Sequence, residues 1–287
     1  MNVTIPEKVG LKKKTIMIYG IIIFVCVASL IVAFYVQFYA RIDLGRLIGI
    51  NKDMVYGNKT EDEKEEMEAE FLSLFNNSIE NIEEGYENKK QDESKNLVYT
   101  NYEKKETKQN SYDLEVHIPT INVKNEIVDN YNKEIEETFT NMTEKVLKSE
   151  NRNVIYTVDY TSNIQNGILS VIIHSNFKEG TKAQKVIIKT YNYDLRNNKE
   201  VSLAEVLNFE NIDKQIVQEQ INTEIKHEQQ KVEDLEKLGY NIFTRDANSD
   251  IYKIENTEEF YFTKNAIYII YPYGNDSNTS EMDIVIL

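Results

Sequence analysis

Three histidines, His117, His174 and His227, are the side chains best suited to moving a proton near neutral pH. His117 and His174 sit in runs that alternate apolar and polar residues, and His227 lies in a charge-rich helical stretch. None has a histidine or carboxylate at zinc-ligand spacing, and no HExxH occurs, so each reads as a strand or surface histidine. Serine nucleophiles lack a GxSxG or SxxK setting, and no glycine-rich phosphate loop is present. Asp246-Ala247-Asn248-Ser249-Asp250 opens like a calcium loop, but Ile251 stands where the sharp turn needs glycine and Thr257 where a bidentate glutamate belongs. It reads as an Asx-rich surface loop. These residues predict no catalytic group, no metal site and no cofactor, and the protein is not expected to be an enzyme. The chemistry they do offer is recognition. Near the C-terminus, Tyr271 and Tyr273 flank Pro272 at the mouth of a polar loop that includes Asn275 and Asp276. Tyrosine gives a large contact at small entropic cost, so these five residues are the candidate binding site should the two tyrosines be exposed, while simple packing of both into the core is the favoured reading.

The elements that must hold such a site follow from periodicity. Val98–Lys104 and Tyr112–Ile118 alternate at period two, and Pro119 is expected to end the second run. Asn122 is the expected cap of a helix carrying Ile127, Tyr131, Ile135, Phe139, Met142 and Val146 at steps of four or three. Val154–Ser162 and Ile168–Phe177 bracket Asn166-Gly167, a strong hairpin signal. Val186–Leu195 is a further strand. A capping box, Ser202-Leu203-Ala204-Glu205, starts a short helix. A longer helix runs from about Ile212 to Gly239, and Glu259–Thr263, Ala266–Tyr271 and Met282–Leu287 are strands. Strands and helices in mixed order predict an α+β fold with mainly antiparallel sheet and packed helices.

Ahead of this lies a different texture. Ile16–Tyr39 carries no charge, and as a helix these residues reach about 36 Å, enough to cross a bilayer core of about 30 Å. Lys8, Lys12, Lys13 and Lys14 precede it, so the positive-inside bias places residues 1–14 in the cytoplasm and the C-terminal domain outside. The expected arrangement is a cytoplasmic tail (1–14), a transmembrane helix (15–40), a juxtamembrane spacer and linker (41–96), and two α+β subdomains (97–195 and 196–287). The spacer holds a helix over Glu61–Glu84, whose apolar stripe includes Phe71, Leu74 and Phe75 and must meet either the ectodomain or a partner helix. Acidic residues outnumber basic ones by 48 to 33, a net charge of −15, which excludes nucleic acid and favours basic partners or plain solubility. The single cysteine, Cys26, falls in the span, so the outer part is free of disulfides, as in a bacterial surface protein.

Four segments carry a resemblance: Ile118-Pro119-Thr120-Ile121, Thr190-Tyr191-Asn192-Tyr193-Asp194-Leu195, Val201–Leu207, and Glu259-Phe260-Tyr261-Phe262-Thr263-Lys264-Asn265-Ala266-Ile267. In this order, over roughly residues 98–287, the chain resembles the paired domains of unknown function that form the ectodomain of the anti-sigma-V factor RsiV family. The same pair also precedes some bacterial polysaccharide deacetylase domains. The resemblance implies a Gram-positive cell-surface protein whose ectodomain binds a lysozyme-like basic protein. Residues 1–14 are too short for a sigma-gripping domain, and Pro272-Tyr273-Gly274-Asn275-Asp276 replaces the family's Pro-Tyr-Ala-Ala-Gly loop. The expected function is therefore single-pass extracytoplasmic binding or sensing, with a basic extracellular protein or a cell-wall polymer as ligand. The alternative is an envelope assembly protein that pairs with a membrane partner through its juxtamembrane helix.

Overall fold

The computed structural model describes residues 69–75, 85–150, 153–182, 184–239, 242–273 and 282–287. The expected tail, span and most of the juxtamembrane helix lie outside these residues. Among the described residues, no helix is long and apolar enough to cross a membrane.

Six strands form one sheet in chain order: β1 (Val98–Lys108), β2 (Tyr112–Ile121), β3 (Val154–Gln165), β4 (Ile168–Glu179), β5 (Lys185–Asp194) and the short β6 (Lys199–Glu200). All neighbours are antiparallel except β2 and β3. That parallel pair follows from the crossover between them, made by α1 (Glu126–Ile135), a π-turn (Glu136–Thr140) and α2 (Asn141–Lys148). A second sheet holds β7 (Glu259–Phe262), β8 (Ile267–Pro272) and β9 (Met282–Ile286), all antiparallel. Between the sheets in sequence come α3 (Leu203–Phe209) and α4 (Lys214–Lys237). The fold is α+β and rich in antiparallel sheet.

Local chemistry explains most boundaries. Asn166 (φ 52°) and Gly167 (φ 76°) both take left-handed backbone, as a two-residue hairpin turn requires. Ser202 and Glu205 close their capping box reciprocally at α3, and Asp213 caps α4 by accepting from the Gln215 N–H. Two expectations need correction. Pro119 does not end β2, which continues to Ile121. The pairing with β1 slips between Thr100 and Tyr102, opposite the proline, so its missing N–H falls at a bulge. The α1 cap is Asn125, which accepts from the Ile127 N–H. Asn122 is instead buried, bonding Asp92 through both its N–H and its carbonyl and donating to Asn96 as well, which ties the linker to the domain.

Alternation sorts the side chains into layers. Leu169, Val171 and Ile173 of β4, with Tyr156 and Val158 of β3, face α1 and α2 in one core. Ile172 and Ile188 on the opposite face meet Tyr261, Tyr268, Ile270 and Ile286 of the second sheet. The other face of that sheet packs Phe260, Phe262 and Ile269 against Val217, Ile221 and Ile225 of α4. The order is helix, sheet, sheet, helix.

Phe71, wholly buried, joins the core between the sheets with Leu74 and Phe75 against it. Its ring lies 5.5 Å from that of Tyr268, and Phe75 stacks at 4.9 Å on His174 of β4. Of the two destinations open to the apolar stripe of the juxtamembrane helix, this part of it meets the domain. Burial lowers the pKa of His174 to about 4, because the imidazolium would be desolvated beneath Phe75. A histidine depressed below its ordinary 6.5 leaves its contribution intact above that value and withdraws it as pH falls towards 4. Amide exchange in residues 69–75 is therefore expected to quicken between pH 6.5 and pH 4 relative to the β3–β4 hairpin. His174→Phe is expected to flatten that dependence, while the contribution of titrating carboxylates remains in both proteins.

Candidate functional site

The second sheet meets the first through hydrogen bonds as well as apolar contact. Among the described residues β7 is an edge strand, with no strand partner for the backbone groups on its outer side. The face of the six-stranded sheet supplies the partners as side chains. Asn192 Nδ2 donates to the Phe260 carbonyl at 2.9 Å, Asn163 Nδ2 to the Phe262 carbonyl at 3.2 Å, and the Phe260 N–H donates to Thr190 Oγ1 at 3.1 Å. Ser170 Oγ donates to Asn192 Oδ1 at 2.6 Å and holds the amide in that orientation. At the end of β7, Glu259 reaches around the β5 edge and accepts from the Thr190 N–H at 2.6 Å and the Thr190 hydroxyl at 2.9 Å. Its second oxygen lies 3.2 Å from Lys189 Nζ, which also reaches Glu134 of α1 at 3.4 Å. Burial raises the Glu259 pKa despite Lys189 and Thr190, whereas the two carboxylates around Lys189 outweigh its own burial and raise the ammonium pKa. Both directions arise from one desolvated pair. The lysine is held protonated, and the glutamate is harder to ionise than an exposed one.

Beside this pair opens a cleft of about 500 Å³. One wall is β5 from Val186 to Lys189. The other is Ile270, Tyr271, Pro272 and Tyr273 at the end of β8, with Asp250, Ile251, Asn256 and Glu258 along the rim. Asp250 and Glu258 are exposed, and so is Ile251, at 46%. Asp250 is held by Lys253 at 2.6 Å, which lowers its pKa. The apolar floor, acidic rim and buried ion pair suit recognition of an apolar group with a positive charge beside it.

Of the five predicted site residues, three border this cleft. Pro272 is exposed, but Tyr271 and Tyr273 are buried at 6% and 7%, so of the two readings open to them it is packing that the structure shows. The reason is a polar network that periodicity does not show. Arg245 Nε and Nη2 donate to Asp283 at 2.8 and 2.9 Å, a bidentate pair with both side chains almost fully buried. Tyr273 donates to the same carboxylate at 2.6 Å, and its hydroxyl lies 2.9 Å from that of Tyr252. The Tyr273 ring stacks on Phe243 at 4.3 Å and lies 4.8 Å from the Arg245 guanidinium. Burial and the Asp283 charge push the Tyr273 phenol far above its ordinary pKa, and burial takes Tyr271 up to about 12. Asn275 and Asp276 lie outside the described residues.

The remaining candidates are separated. His117 Nδ1 lies 2.8 Å from Asp159, with Glu103 at 3.8 Å from Nε2, on the far strands of the first sheet. Burial raises the Asp159 pKa against the pull of His117. His227 sits beside Glu228 on α4. Asp246 accepts from the Asn248 N–H and side chain, an Asx turn. Among the described residues, no group of three or more histidine, cysteine or carboxylate side chains is placed to hold a metal.

Architecture and cleft together define an α+β protein of two stacked sheets with a cleft between β5 and the end of β8. The chain matches no family model and no curated protein. Among solved structures it is similar to a DUF3298 family protein of Pseudomonas aeruginosa PAO1, at 12% identity and TM-score 0.37 over 66% of this chain and 87% of that one. A DUF3298 family member of Bacteroides fragilis NCTC 9343 is similar at 16% identity and TM-score 0.31, over 56% of this chain and 61% of that one.

Truncating Asp283 to alanine leaves Arg245 buried without its carboxylate and is expected to cost about 3–5 kcal/mol. Tyr273→Phe keeps the ring and removes one charge-assisted bond, at about 1.5–3 kcal/mol. Urea midpoints measure both, and equal losses would show that the ion pair does not organise this end of the sheet.

Proposed function

We propose that this protein is a single-pass, membrane-anchored extracytoplasmic binding or sensing module, similar to the RsiV ectodomain. Its ligand is a basic extracellular protein of lysozyme type or a cell-wall polymer. The observation that carries this reading is the cleft: Ile251 and Pro272 are exposed at its mouth, with Glu258 exposed beside them and Asp250 paired with Lys253 on the same rim. A net charge of −15 adds long-range attraction for a cationic partner and repels nucleic acid. The alternative, envelope assembly through the juxtamembrane helix, is weakened by the burial of Phe71 and the packing of Leu74 and Phe75 against the domain. At these three residues the stripe packs on the domain; Met67, Ile79 and Ile82 of the same stripe lie outside the described residues.

The test uses the full chain in detergent micelles. A cationic lysozyme is expected to bind with an affinity that falls steeply with added salt, and Glu258→Lys is expected to weaken binding and flatten the salt dependence. Purified cell-wall polymer is the parallel arm. Binding to neither, with recovery only of integral membrane partners, would favour the assembly reading instead.

A further inference from the structure

A second depression, of about 490 Å³, lies between β1, the end of β2 and the helical crossover, and it shares no lining residue with the cleft. Its floor is apolar and buried, made by Ile118 and Pro119 of β2 and Ile135 of α1. Two departures from regular backbone border it. Among the described residues, the only slip in strand pairing falls between Thr100 and Tyr102, and the only π-turn is Glu136–Thr140. Successive residues of a regular strand point to opposite faces, but the slip leaves Asn101 as an extra residue, and Asn101 and Tyr102 both line the depression. The π-turn places Glu136 and Thr140 along the facing wall. Irregularities of both kinds recur beside functional sites. Asn132 holds the walls at one spacing: its amide donates to the Ile121 carbonyl at 2.9 Å and accepts from the Ile121 N–H at 2.8 Å, which ties α1 to the end of β2.

The remaining polar groups offer both halves of hydrogen bonding. Asn101, Asp129 and Glu136 are exposed, and no hydrogen bond or ion pair among the described residues occupies their side chains. The carboxylates accept, the Asn101 amide donates and accepts, and Lys133, whose ammonium lies 3.9 Å from Glu137, donates. Thr120 and Thr140 add hydroxyls that serve in either sense. A small cation would be opposed by Lys133, and an anion by the two carboxylates. A ligand bearing many hydroxyls finds a partner at each of these groups, and the half-buried Tyr102 ring gives its C–H face an apolar surface. We infer that this depression binds a neutral saccharide, as a short stretch of a glycan chain. Its volume falls within the roughly 300–1,000 Å³ of small-molecule sites. This deepens the proposed function: it rests on the wall-polymer part of that reading and gives such a polymer a site apart from the cleft.

The probes are soluble tetrasaccharides of glucose, galactose, mannose and N-acetylglucosamine, titrated calorimetrically against the full chain in micelles. At least one is expected to bind, with an affinity that added salt leaves unchanged because the ligand carries no charge. Asn101→Ala and Asp129→Ala truncate exposed side chains, and each is expected to weaken binding by about tenfold. Tyr102→Leu keeps apolar bulk but removes the ring and is expected to weaken it as well, with thermal melting as the check on folding. Glu258→Lys, at the cleft, is expected to change nothing. Binding of none of the probes, or binding that Asn101→Ala and Asp129→Ala both leave intact, overturns the inference. If Glu258→Lys alone abolishes saccharide binding, the ligand lies in the cleft, the inference fails and the proposed function stands. If the probes bind as expected while neither lysozyme nor purified wall polymer does, the saccharide site stands and the named ligands are wrong.

Discussion

The structure depends on one unsatisfied edge. β7 must bury its backbone to carry Phe260 and Phe262 into one core and Tyr261 into another, yet its outer N–H and C=O groups have no neighbouring strand. An unpaired buried backbone group costs about 1–3 kcal/mol, comparable to a large share of a domain's net stability. Asn163, Thr190 and Asn192 remove that cost from the face of the other sheet, and Glu259 returns the favour at the β5 edge. Side chains standing in for a strand fix the relative position of the two sheets more narrowly than apolar contact would, because hydrogen bonds tolerate little displacement.

The cleft is a consequence of this docking. β7 and β8 cross the face of β5 near Thr190, and the cleft lies beside that crossing, between Val186–Lys189 and the end of β8. Glu259 closes the inner end and holds Lys189 in a triad with Glu134, so the buried charge is balanced from two elements. At the outer end, Arg245 and Asp283 hold Tyr273 against Phe243, which makes the two tyrosines a wall of the cleft and not a protruding contact. The same network removes the freedom that would have made them adaptable binding residues.

Much of the fold was legible residue by residue. The Asn166-Gly167 hairpin, the Ser202–Glu205 capping box and the four-residue stepping of Val217, Ile221 and Ile225 all appear where local chemistry demands them. The expected site was legible only in part. Tyr271, Pro272 and Tyr273 do border the cleft, but Val186–Lys189 of β5 and Glu258 lie away from them in sequence and carry no motif. Arg245 and Asp283 were equally silent, since a lone arginine in a loop and a lone aspartate at an alternating strand position read as surface charge.

By itself, the sequence determined which segments are strands and which are helices, because side-chain periodicity, turn residues and caps act over a few neighbouring positions. It also determined the acidic character of the molecule and the uncharged stretch near the N-terminus. Only the tertiary structure decided that β2 and β3 run parallel, that Phe71 packs between two sheets, that Asn192 serves β7, and that the tyrosines turn inward. Each of these is a pairing between groups distant along the chain. Which partner satisfies a buried donor or carboxylate is settled by three-dimensional geometry, and local sequence pattern contains no record of it.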